Sequence, residues 1–121
     1  MKWFLAVFAA VAVVAGGGVA AFADSTPIGP LPAGPASTIQ VQHGELVALA
    51  LPKRASGRVW RIARPFDGKV LRQVSEANVG TSVVLVFVAR AAGRTTVSVA
   101  LTNGDASPKA LEARRFTVQV R

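Results

Sequence analysis

Two residues in the sequence, Ser56 and His43, are of the types that act together in nucleophilic hydrolysis. A hydrolase of that kind needs a hydroxyl nucleophile, a histidine base and an orienting carboxylate that converge in space. His43 is the only histidine in the sequence, and the Gly44 and Glu45 that follow it are more typical of a hairpin turn than of a catalytic site. The carboxylates stand singly, without the close spacing that acid and base catalysis or a hard metal ion requires. They are Asp24, Glu45, Asp67, Glu76, Asp105 and Glu112.

Other catalytic chemistries are missing from the sequence altogether. It contains no cysteine, which excludes a disulfide framework, a thiolate zinc site and a cysteine nucleophile. It also lacks a P-loop and a dinucleotide-binding glycine motif. We therefore expect a protein that is not an enzyme, has no cofactor and no metal site, and acts by binding.

The first 23 residues have the pattern of a helical signal peptide. Lys2 precedes an apolar stretch, and Ala21, Phe22 and Ala23 form an Ala-x-Ala cleavage pattern. We expect cleavage before Asp24, no membrane contact afterwards, and a periplasmic or secreted protein. Because the span 3–23 carries no charge and is long enough to cross a bilayer, retention of this segment as an anchor is the alternative.

Two further regions follow the signal peptide. Residues 24–37 contain four prolines and two glycines without apolar periodicity, which predicts an extended Pro/Gly-rich linker. From Thr38 onward, apolar and polar residues alternate in six or seven short segments separated by turn signals. This pattern predicts an all-β domain at residues 38–121, an antiparallel immunoglobulin-like β-sandwich. The nearly continuous apolar run at 81–89 predicts a central strand buried on both faces, and Trp60 is expected in the core.

The chain is strongly basic, with 14 lysines and arginines against 6 acidic residues. A cluster between residues 53 and 72 could hold an anionic polymer or an acidic protein partner by long-range attraction, or it could simply be a solvated strand face. We expect no nucleic-acid binding, because the chain has no tyrosine and few aromatic residues on which bases could stack. The cluster consists of Lys53, Arg54, Arg58, Arg61, Arg64, Lys69 and Arg72.

Binding in a β-sandwich is usually carried by loops, and alternate connections lie at the same end of the two sheets. The connections near 52–58, 76–82 and 102–109 could therefore share an end. From Val41 onward the chain resembles the chagasin family of cysteine-protease inhibitors. The similarity rests on "VQHGELVALAL" at 41–51, on the hydroxyl, glycine and tryptophan spacing of "ASGRVW" at 55–60, and on the closing segments "VFVARAAGRTTVSVAL" and "RRFTVQVR".

This resemblance implies a monomeric, exported inhibitor whose three loops enter the active-site cleft of a papain-like cysteine protease. The loops depart from the family pattern at several positions. Arg58 replaces an aromatic residue in the first loop, only Gly80 remains of a glycine-rich second loop, and "TNG" replaces an Arg-Pro-aromatic motif in the third. The protease-binding residues that the resemblance implies are Arg54, Ser56, Gly57, Arg58, Val79, Gly80, Thr81, Thr102, Asn103 and Gly104.

Overall fold

The computed structural model describes residues 27–121, so the predicted signal peptide and the start of the predicted linker lie outside the described residues. The described part is all-β and contains no helix long and apolar enough to cross a membrane. The seven strands in this part are β1 (Ala36–Val41), β2 (Leu46–Pro52), β3 (Val59–Ile62), β4 (Leu71–Val79), β5 (Ser82–Ala89), β6 (Gly93–Thr102) and β7 (Glu112–Val120).

The strands form two sheets, as the alternating sequence pattern predicts. Sheet A has the order β1-β7-β6-β3, and sheet B has the order β2-β5-β4. One pairing differs from the expected antiparallel arrangement, because β1 pairs with β7 in parallel, with Ala36 opposite Arg115. The backbone N–H of Arg115 donates to the carbonyl oxygen of Pro35, which fixes the entry of β1 so that it runs alongside β7 in the same direction.

The core lies between the two sheets and is built from the alternate residues that the sequence predicts. Val47, Leu49 and Leu51 of β2 face it, and Phe87 of β5 is completely buried at its centre. Burying an aromatic side chain of this size contributes about 1.5–3 kcal/mol. The ring of Phe66 meets that of Phe87 edge to face, with 5.6 Å between ring centroids.

The strand at 82–89 is central, but the prediction that both of its faces are buried is wrong. Leu85 and Phe87 face the core, whereas Val84, Val86 and Val88 on the other face are only half-buried. A run of β-branched residues indicates a central strand without showing whether a further layer covers it. Sheet B presents this outer face without a covering layer from the described residues.

The strand with both faces buried is β6. Its outer side chains Ser98, Ala100 and Thr102 are buried, as is their neighbour Ala113 on β7. Residues 27–35, which we call the N-terminal strap, lie on this side of sheet A. They belong to the predicted linker, but Gly34 packs so closely against the carbonyl oxygen of Ala113 that a Cβ atom would collide with it.

Hydrogen bonds fix the strap along its length. The guanidinium of Arg64 donates to the carbonyl oxygens of Ile28 and Gly29, at 3.0 and 2.9 Å. The N–H of Gly29 donates to the carbonyl oxygen of Pro108, at 2.8 Å. The described part of the predicted linker therefore packs on the domain, and β1 begins at Ala36, two residues before the predicted boundary.

Candidate functional site: the loop pole

Three connections meet at one end of the sandwich, which we call the loop pole. They are the first loop (53–58, between β2 and β3), the second loop (80–81, between β4 and β5) and the third loop (103–111, between β6 and β7). The strand registers bring them together, because Pro52 lies opposite Ser82 and Val59 lies opposite Thr102. The geometry thus joins the three predicted loops at one end.

The first loop is closed by a backbone turn at its tip. The N–H of Arg58 donates to the carbonyl oxygen of Ala55, and Gly57 adopts a φ of 85°, a conformation that residues with a Cβ rarely adopt. Ser56, Gly57 and Arg58 are all exposed, as a binding role requires. The turn itself is closed by main-chain atoms.

The serine and histidine that could have formed a hydrolytic pair lie at opposite ends of β2. Ser56 is in the loop that follows this strand, and His43 is in the turn that precedes it, where its N–H donates to the carbonyl oxygen of Arg121. Seven strand residues separate the two positions, roughly 23 Å along the strand. The structure therefore does not bring these two residues together.

Trp60 holds the two ends of the first loop together. Its side chain is buried, and its Nε1–H donates to the carbonyl oxygen of Pro52 at 2.8 Å. Pro52 is the last residue of β2 and Trp60 lies near the start of β3. The guanidinium carbon of Arg114 lies 5.7 Å from the Trp60 ring centroid, within cation–π range. Trp60 is thus a core residue, as predicted, and supports the loop from beneath.

A charged pair connects the first loop to the strand that follows the third loop. Arg54 Nε donates to Glu112 Oε2 at 2.8 Å, and Arg54 Nη2 donates to Glu112 Oε1 at 2.9 Å. This hydrogen bonding lowers the pKa of the Glu112 carboxyl and raises the pKa of Arg54. Sequence reasoning selected Arg54 but missed Glu112, since nothing in a linear sequence signals a contact between residues 58 positions apart.

The second loop is a two-residue turn with exposed side chains. Val79, at the end of β4, is 59% exposed, and Gly80 has a φ of 60°. Thr81 is exposed, and its carbonyl oxygen accepts a hydrogen bond from the N–H of Lys53 at 2.9 Å. This backbone bond fixes the second loop directly beside the first.

The third loop presents a short tip. Asn103 is exposed and Gly104 has a φ of 85°. Thr102, by contrast, is fully buried, and its hydroxyl donates to the carbonyl oxygen of Gly104 at 2.9 Å. Of the three residues implied in this loop, Thr102 therefore supports the tip and offers no surface to a partner.

The rest of the third loop lies beside sheet A. Arg61 Nη1 donates to the carbonyl oxygen of Ser107 at 2.7 Å, and the strap bonds to Pro108. These bonds fix the loop from two sides, so its tip is held on an ordered base.

The basic cluster that the sequence places between residues 53 and 72 does not form one face. Lys53, Arg54 and Arg58 are exposed at the loop pole, whereas Lys69 lies in the turn before β4, at the other end of the sandwich. Arg61 and Arg64 are half-buried and donate hydrogen bonds to main-chain carbonyl oxygens. Arg72 is exposed on β4 of sheet B. The structure thus distributes these basic residues over different surfaces, whereas binding of an anionic polymer would require them on one surface.

Comparison with known proteins supports the fold. No family model matches the sequence, and no curated protein matches it. Among solved structures, the chain is similar to the crystal structure of the cysteine protease inhibitor EhICP2 from Entamoeba histolytica. The TM-score is 0.59 with 17% sequence identity, over 70% of this chain and 85% of that one. At this identity the likeness shows a shared fold, in agreement with the predicted β-sandwich.

Proposed function

We propose that this chain is an exported, chagasin-like inhibitor of papain-type cysteine proteases, which acts by inserting the loop pole into the active-site cleft. The observation that carries the proposal is the junction of three exposed loop tips at one end of a sandwich whose fold resembles that of a cysteine protease inhibitor. The resemblance of "ASGRVW" to the first inhibitory loop of the chagasin family supports the same assignment.

The geometry suits a protein that blocks a cleft without being altered. Three supports hold the loops before any partner arrives: the Trp60 bond to Pro52, the Lys53 bond to Thr81, and the ion pair between Arg54 and Glu112. A preordered loop loses little conformational entropy on docking, so more of the contact energy appears as affinity.

The contacts that we assign to the protease come from the exposed tips. In the first loop they are Ser56, Gly57 and Arg58, in the second Val79, Gly80 and Thr81, and in the third the exposed Asn103 with the half-buried Gly104 beside it. Arg54 acts at the edge of this surface through its pair with Glu112. The third tip has no aromatic anchor, and such an anchor typically contributes 2 kcal/mol or more, which is about 30-fold in affinity. We therefore expect moderate rather than extreme affinity.

The test is a titration of papain activity with the protein, using Gly57→Glu as the disruptive variant. Gly44→Glu is a matched control, because Gly44 has a φ of 91°, is also surrounded by open space, and lies in the turn between β1 and β2 at the other end. Both variants carry the same left-handed strain, about 1–2 kcal/mol. Inhibition that Gly57→Glu reduces at least tenfold, and that Gly44→Glu retains, supports the proposal.

A large molar excess of protein that leaves papain activity unchanged would contradict the proposal. A salt series distinguishes it from the anionic-polymer alternative. Loop docking in a cleft should weaken modestly between about 50 and 200 mM salt, whereas polyanion binding should fall steeply.

A further inference from the structure

The edge strand β2 lacks the features that normally prevent strand-to-strand association. Its residues Leu46–Leu51 include no charge and no proline, and Leu46 is 64% exposed. Long uncharged edge strands are templates for pairing with another strand. Of the other edge strands in the described part, β3 has only four residues and includes Arg61, and β4 has an irregularity between Gln73 and Ser75, whereas β1 is uncharged like β2.

The backbone groups of β2 point to this open edge at alternate residues. Lys53 N–H donates to Thr81, and the Glu45 carbonyl accepts from Ala89, so the odd-numbered residues are those that bond to β5. In an antiparallel ladder the intervening residues direct their N–H and C=O groups away from that neighbour. The groups of Leu46, Ala48 and Ala50 therefore face outward, each with a side chain on the exposed outer face of sheet B.

We propose that β2 pairs antiparallel with β2 of a second copy of this chain, about a two-fold axis at Leu49, to form a continuous six-stranded sheet. In this register Ala48 lies opposite Ala50 of the second copy, and each such pair exchanges two backbone hydrogen bonds. Leu46 lies opposite Pro52, a residue without an N–H, whose carbonyl oxygen already accepts from Trp60. The ladder therefore ends at that residue.

Charge complementarity identifies a second copy as the partner. Glu45 and Lys53 stand four residues on either side of Leu49, so an antiparallel pair places Glu45 of each copy opposite Lys53 of the other. Both residues lie one position beyond the end of the paired ladder, where their flexible side chains can reach one another across neighbouring strands, and Glu45 Oε1 also accepts from the backbone N–H of Gln42 at 2.7 Å. The chain as a whole has a net charge of +8, so two copies repel one another across most surfaces. This edge is self-complementary, as a two-fold interface must be.

The dimer replaces the monomer expected from the sequence and is independent of the inhibitor proposal. Because the paired strands run in opposite directions, the two loop poles lie at opposite ends of the joined sheet. Each pole stays open to a partner, so inhibition and dimerisation can be measured separately.

The experiment is sedimentation velocity on the purified protein over a range of concentrations. We expect a concentration-dependent dimer. Glu45→Lys and Lys53→Glu should each weaken it about tenfold, because each variant opposes like charges at two symmetric positions. An equimolar mixture of the two variants should form a heterodimer, since every facing pair is then complementary. The matched control is Arg72→Glu, the same charge reversal as Lys53→Glu on the outer face near the far edge of sheet B, and it should leave the dimer intact.

A backbone variant tests the strand pairing itself. Proline at position 48 removes an N–H that points to the open edge, so Ala48→Pro should abolish the dimer while the monomer retains its ladder to β5. Monomers at every concentration, or single variants that fail to form a heterodimer when mixed, would overturn the proposal.

Discussion

The guanidinium of Arg54 and the carboxylate of Glu112 form a two-pronged ion pair, with N···O distances of 2.8 and 2.9 Å. Arg54 lies in the first loop, and Glu112 is the first residue after the third loop. Each side chain is 36% exposed, so water screens the pair and its contribution to the free energy of unfolding is small. The pair therefore matters mainly for the relative position of two loops.

Breaking this pair should affect inhibition more than stability. We expect Glu112→Gln to lower the free energy of unfolding only slightly and to weaken papain inhibition several-fold, because the first loop then samples more positions. Denaturant unfolding and an inhibition titration measure the two effects. The double variant Arg54→Glu with Glu112→Arg restores the pair and should recover much of the loss, whereas Arg54→Glu alone should not. Equal inhibition by the wild type and Glu112→Gln would show that the pair does not order the loop.

The stability of the protein should respond to pH through Glu76. Glu76 lies on the exposed part of β4, but neighbouring groups partly desolvate its carboxyl, and this desolvation, with a smaller effect from the nearby Asp105 carboxylate, raises the pKa of Glu76 above its ordinary value of 4.5. The folded state therefore binds this proton more tightly than the unfolded state, and stability falls as pH rises from 4.5 through the raised pKa. Glu76→Gln should increase the free energy of unfolding at pH 7 and change it little at pH 3. A variant that is equally stabilised at both pH values would rule out titration as the cause.

Glu112 has the opposite linkage. Its folded-state pKa lies below 4.5, mainly because of the hydrogen bonds from Arg54, so its stabilisation is present above pH 4.5 and is lost as pH falls through the lowered value. In Glu112→Gln this component of acid unfolding should disappear. Chemical unfolding of the wild type and the variant between pH 2 and 6 measures the difference, and identical curves would contradict the assignment.

The sequence predicts the sandwich well because one face of each strand must be apolar. Val47, Leu49 and Leu51 alternate with exposed residues, and the structure buries all three. Contacts between distant segments leave no such pattern. The parallel pairing of β1, the fixed strap and the partner of Arg54 all depend on residues far apart in the chain, and the half-exposed Val86 shows that composition alone does not reveal which sheet face is covered.

The loop pole shows the same division. Turn chemistry correctly indicated Gly57, Gly80 and Gly104, each of which has a positive φ. Burial at a strand end was harder to predict, since Thr102 follows an alternating pattern but lies beneath its own loop. Sequence spacing therefore located the tips, and three-dimensional packing distinguished the exposed residues from those that support them.

The strap should contribute to stability through its close approach at Gly34. A methyl group there would collide with the carbonyl oxygen of Ala113, so Gly34→Ala should lower the free energy of unfolding by about 1–3 kcal/mol. Gly68→Ala is the matched control, because a Cβ atom at Gly68 meets nothing within 4 Å, and we expect it to be neutral or slightly stabilising. Thermal unfolding of the two variants makes the comparison. A Gly34→Ala protein as stable as the control would mean that the strap is not packed on sheet A in solution.

An added aromatic residue at the third tip should strengthen inhibition. Asn103 is exposed between the buried Thr102 and Gly104, so Asn103→Trp adds a large side chain at the tip without altering the buried support. An aromatic anchor at the centre of an interface is worth about 2 kcal/mol, so the inhibition constant for papain should fall by up to about 30-fold. Ala91→Trp adds the same side chain to the turn between β5 and β6, at the other end of the sandwich, and should leave inhibition unchanged. If the two variants inhibit papain equally, the third tip does not enter the cleft, and the first and second loops alone would have to account for binding.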